Sequence, residues 1–183
     1  MVWVLVIVIA VLLCAVIWLV LRQRRSAQLR EGFGPEYDRT LEEHGDQRAA
    51  ESELRERVQR RREYDIRELE PQARERYAAR WRDTQARFVD QPASTLADAD
   101  ALVNEVMRER GYPVDDFETQ AADVSVDHPG VVEHYRQAHA VRASDETSTE
   151  ELREAFVHYR ALFGELLGDD QETTRPERVE EVS

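Results

Sequence analysis

The stretch ERGYPVDDFETQAADVSVDHPGVVEHYRQAH, residues 109–139, gathers most of the side chains in this chain that could do chemistry. Arg110, Tyr112, Asp127, His128, Tyr135 and His139 are the candidate loop or ligand site, carried by the GYPVDDF and DHP segments. An aspartate beside a histidine could shuttle a proton, and a tyrosine and an arginine could hold an anion. The spacing argues against a metal. His134 and His139 are five residues apart, about 140° around a helix, whereas two ligands on one helix face need a spacing of three or four. Asp127 before His128 and Pro129 reads more economically as a helix N-cap. His139, one turn after Tyr135, reads as a packed histidine. The serines lack a nucleophile-elbow context, the glycines are scattered, and the single cysteine excludes an intramolecular disulfide or a cysteine cluster. No specific catalytic signal, cofactor motif or metal-ligand set emerges.

The elements that must position these residues read as helices throughout, with no β-period run of useful length. Pro71 opens a helix with Ala73, Tyr77, Trp81 and Phe88 on one stripe. Pro92 and Ser94 open the next, with Leu96, Ala99, Val103, Val106 and Met107, stopped by Gly111. Asp115 and Asp116 cap a short helix bearing Phe117, Ala121 and Val124. Another carries Val131, Val132, Tyr135 and Ala138. Ser148 with Glu151 three residues on predicts a capping box. That box opens the most amphipathic helix, with Leu152, Phe156, Tyr159, Phe163, Leu166 and Leu167 on its stripe and Gly168 at its end. These six are the candidate interaction surface. They must meet residues 66–142, a second copy or another protein, and the small core of a domain that size favours docking in cis.

The amino-terminal run, residues 2–21, holds twenty residues without a charge, proline or glycine. As a helix it would be roughly 30 Å long, the thickness of a bilayer's hydrocarbon core. Trp3 and Trp18 near its ends, with Arg22, Arg24 and Arg25 following it, predict a membrane anchor. By the positive-inside rule the N-terminus lies outside and the remainder in the cytoplasm, held at the cytoplasmic membrane by a single pass. The predicted architecture is all-α: a transmembrane helix at 2–21, a polar helical stalk at 22–65 and a compact helical domain at 66–142. A linker with an amphipathic helix at 143–168 and an acidic, disordered tail at 169–183 follow.

All 25 basic residues are arginine, against 38 acids, for a net charge of −13. Residues 143–183 hold 4 arginines against 12 acids. This balance excludes nucleic acid as an expected partner. The expected partners are the lipid bilayer and a protein or a second copy of the chain.

RELEPQARERYAARWRDTQARFVDQP, followed by ADALVNEVMRERGYPVDDFETQAADVSVDHPGVVEHYRQAH, resembles a family of bacterial single-span membrane proteins common in actinobacteria. The resemblance covers about residues 62–140. It implies an anchored helical domain and carries no activity, substrate or cofactor. The function expected is therefore a membrane-anchored helical interaction or scaffold module. The alternative is a small-molecule-binding or enzymatic domain built on the GYPVDDF and DHP loops.

Overall fold

The computed structural model describes residues 2–144 and 147–168, and among residues 2–25 the side chains of Trp3, Leu12, Leu13, Cys14, Val16, Ile17, Leu19, Val20, Gln23 and Arg24. The described residues form eight α-helices and no strand: α1 (Val2–Phe33), α2 (Pro35–His44), α3 (Gln47–Glu63), α4 (Pro71–Arg87), α5 (Pro92–Arg110), α6 (Phe117–Asp127), α7 (Val132–Ala143) and α8 (Thr149–Leu167). The chain divides into two compact units, Met1–Glu56 and Arg57–Ser183.

Among the described residues no helix is long and apolar enough to cross a membrane. This corrects the expected transmembrane helix at 2–21. α1 also continues without a break to Phe33, through Arg24, Arg30 and Glu31. Single-pass topology, the cytoplasmic-membrane location and the cytoplasmic placement of the rest of the chain all rested on that span, and fall with it. Of the proposed anchor residues, Trp3 and Arg24 are exposed, while Trp18, Arg22 and Arg25 lie outside the described side chains. The tail at 169–183 lies outside the described residues.

In the first unit, the stretch expected to be a polar stalk folds back on itself. Gly34 (φ +49°) and Gly45 (φ +64°) take positive-φ conformations that let two tight corners separate α1, α2 and α3. Glu51 ties the three helices together. It accepts hydrogen bonds from Ser26 of α1, from Tyr37 of α2 at 3.4 Å and from Gln47 of α3 at 2.8 Å. Burial alone would raise the Glu51 carboxyl, but these donors and the Arg55 charge together hold it below the usual range.

The second unit closes around α8. Trp81 of α4 stacks between Phe156 and Phe163 of α8, with ring centroids 5.1 and 4.5 Å away. Leu96, Val103, Val106 and Met107 of α5, Val124 of α6 and Val132, Tyr135 and Ala138 of α7 complete one core with Tyr159, Leu162 and Leu166. The capping box at Ser148 and Glu151 forms as the sequence predicts, and Gly111 and Gly168 end α5 and α8 in the left-handed conformation.

Candidate functional site: a polar clasp at the helix ends

Four of the six candidate loop residues converge where the C-terminal ends of α5, α6 and α8 meet. Gly111, at φ +97°, reverses the chain after α5 so that Tyr112 turns inward and is buried. The Tyr112 hydroxyl donates to Asp127 Oδ2 at 2.6 Å, and Arg61 Nε donates to the same oxygen at 2.5 Å. Arg110 Nη1 donates to the Leu166 carbonyl at 3.0 Å, in the last turn of α8, where unpaired carbonyls favour a cation. His128 places Nδ1 3.3 Å from Glu165 Oε1 and Nε2 3.5 Å from Arg110 Nη1. This network assigns the proton to Nδ1, leaving Nε2 as the acceptor.

Asp127 is the last residue of α6 and caps nothing ahead of it. The chain turns through His128–Gly130 before α7 starts at Val132, whose N-cap, Val131, has no side-chain oxygen to offer. The N-cap expected at Asp127 is replaced by a junction to Tyr112 and Arg61.

The electrostatics of the clasp favour holding over turnover. Burial, then the neighbouring Asp127 carboxylate, pushes the Tyr112 phenol well above its ordinary range, so it stays a donor. Burial, reinforced by the Arg110 charge, pulls His128 down to about 4, against the opposing pull of Asp127. At neutral pH His128 is an uncharged imidazole with both nitrogens engaged. Cavities of about 320, 290 and 430 Å³ are lined by other residues. Among the described residues no group of three histidine, cysteine or acidic side chains could hold a metal.

The depressed His128 pKa has a defined consequence. Between pH 6.5 and 4 the unfolded chain binds a proton at His128 that the folded chain does not, so stability falls as pH falls through that window. From pH 7.5 to 5 the loss from this group is ~2 kcal/mol. Thermal melts should show the wild-type chain losing that much more than His128→Asn over the same interval; parallel curves for the two would refute it.

Tyr135 and His139 lie elsewhere. Tyr135 is buried in the core, with ring centroids 5.0 Å from Phe117 and 6.2 Å from Tyr159. His139 stacks on Phe117 with centroids 3.5 Å apart. The polar group near them is Asp100, a buried carboxylate that accepts from the Tyr159 hydroxyl at 2.8 Å and pairs with Arg142 Nε at 3.0 Å. Sequence reading passed over Asp100, although it sits on the apolar stripe of α5, between Leu96 and Val103. It also passed over Asp123, fully buried on α6, 3.5 Å from Arg60 Nε, with neither oxygen accepting a hydrogen bond. Burial pushes Asp123 up, with Tyr64, Arg60 and Arg57 pulling the other way.

The six residues of the α8 stripe are placed inside the second unit. Phe156, Tyr159, Phe163, Leu166 and Leu167 are buried, and Leu152 is half-buried against the same core. At ~1.5–3 kcal/mol per large buried side chain, this face contributes strongly to holding the unit together. Most of the large apolar side chains left in solvent among the described residues are on α1 instead: Trp3, Leu12, Leu13, Val16, Ile17, Leu19 and Val20, from 44% to 81% exposed.

Comparison with family models, curated proteins and solved structures returns no match to this chain.

Proposed function

We propose that this chain is a helical interaction module that assembles with a second copy or another protein through the apolar surface of α1. The observation that supports it is a contrast between the two units. The second unit encloses its own apolar stripe and leaves only Val89 and Val157 as exposed large hydrophobics among its described residues. The first leaves seven on α1. At 100° per residue the seven sweep about 200° of the helix surface, about twice the ~100° stripe of an ordinary surface helix, so one flat docking partner would not cover them. Such a helix calls for enclosure, by several copies of itself or by an apolar groove on a partner. The polar clasp takes a structural role in this reading, joining the ends of α5, α6 and α8 while α1 makes the contact.

Sedimentation equilibrium of the full chain tests it. A mass above the 21.3 kDa of one chain, returning to that value in Leu12→Glu/Ile17→Glu with the melting of the packed unit unchanged, is expected. A full chain that stays monomeric in water and enters lipid vesicles instead would assign the apolar surface to lipid and overturn the proposal.

A further inference from the structure

α7 is pinned to its neighbours by histidines. On one side His134 stacks on His158 of α8, with ring centroids 4.7 Å apart and planes 18° from parallel. On the other, His139 stacks on Phe117, the first residue of α6, with centroids 3.5 Å apart and planes 8° from parallel. Nδ1 of His134 and Nδ1 of His139 are both shielded from solvent and have no hydrogen-bond partner. A neutral imidazole tolerates such a place as an aromatic plate, whereas an imidazolium has two N–H donors that both demand an acceptor. Two stacked imidazolium rings would also repel each other across the α7–α8 seam.

We propose that α7 is a proton-released helix: protonation of His158 and His139 in mild acid undoes its stacks on α8 and α6 while the α4–α5 core stays closed. Charged groups face these rings from α5, α6, α7 and α8. Around His158 stand Glu154 on α8 and Glu133 on α7, both favouring its charged form, yet burial and the His134 ring outweigh them and its pKa is lowered. Around His139, Asp100 on α5 and Glu118 on α6 favour the charged form, while burial and Arg142 on α7 prevail and its pKa is also lowered. Asp100 is already paired with Arg142 and Tyr159, which limits what it can offer a new cation. A folded pKa below the unfolded value means that the closed helix is favoured above about pH 6.5, and that this advantage drains away as pH falls.

Hydrogen exchange of the full chain, corrected for intrinsic rates, reads this directly. Between pH 7.5 and 5.5, in a His128→Asn background that removes the clasp's own proton uptake, protection of residues 132–143 should fall about tenfold or more, while residues 96–107 of α5 change little. His139→Phe/His158→Phe in the same background keeps a ring at both stacks and removes their protons, so its α7 protection should be flat over that interval. A loss of protection shared equally by α5 and α7, or a double variant as pH-sensitive as the wild type, would overturn the proposal. If the double variant does not fold, imidazole titration of the wild-type chain by NMR decides. Histidine midpoints that coincide with the onset of α7 exchange support the device, and midpoints well separated from it contradict it. A protection change at pH 7.5 caused by zinc alone would assign the histidine pair to metal instead.

Discussion

Gly111→Ala is expected to destabilise the second unit by about 3 kcal/mol or more, the largest effect of any single methyl group added to this chain. Two costs combine there. At φ +97° any side chain strains the backbone, and a Cβ would sit 2.4 Å from the Asp65 carbonyl oxygen, which is backbone and has little freedom to give way. The segment it would displace is also hydrogen-bonded: Arg67 N–H donates to the Arg110 carbonyl at 2.9 Å, and Arg110 Nε donates to the Arg67 carbonyl at 3.2 Å. Loss of that crossing would pull Tyr112 out of the clasp. Chemical denaturation should show a lower midpoint with an unchanged slope. A variant as stable as the wild type would mean that the 65–67 crossing is not held as described. Gly34→Ala, strained in φ but with open space around its Cβ, serves as the milder comparison.

Trp81→Ala is expected to cost about 3–5 kcal/mol, the range for removing a large buried aromatic. Its ring is the contact through which α4 grips α8, sandwiched between Phe156 and Phe163, with Phe88 against Phe156 at 4.8 Å. The same change should loosen α8, so exchange protection of residues 155–163 should drop with overall stability. Trp81→Phe, which keeps one ring in the stack, should recover a large part of the loss. If Trp81→Ala melted like the wild type, α8 would not depend on this sandwich and its apolar stripe would have to be covered by something else.

What the sequence made legible was local. The helix start at Pro71, the capping box at Ser148 and Glu151 and the glycine stops at 111 and 168 each depend on residues a few positions apart, and each is found where its pattern places it. The all-helical architecture follows from the same short-range signals. Destinations were less legible. The stripe on α8 announced that it needed burial, but its counterpart, Trp81, lies 75 residues before Phe156 and 82 before Phe163 and carries no mark of the pairing. Asp127 ahead of His128 and Pro129 looks like a cap because the residues that claim its carboxylate, Tyr112 and Arg61, come from 15 and 66 positions upstream. The six candidate loop residues split for a similar reason. Gly111 brings Arg110 and Tyr112 to the end of α6, whereas the register of α7 carries Tyr135 and His139 into the core. Asp100 had a readable signal, a carboxylate on an apolar helix face, because such a position demands partners that only the fold can supply. In the amino-terminal run, apolar length was read as a membrane span, and the described residues contain no helix that meets that requirement.

α1 is the surface proposed to be buried against a partner or a second copy of the chain, and Cys14 gives direct access to it. This is the single cysteine of the chain, and it is exposed on α1 among Leu12, Leu13, Val16 and Ile17. A nitroxide attached to Cys14 reports how well a water-soluble relaxation agent reaches that surface. In the assembled full chain the label should be strongly shielded, and in Leu12→Glu/Ile17→Glu the agent should reach it freely. A label equally open to water in both chains would contradict the account.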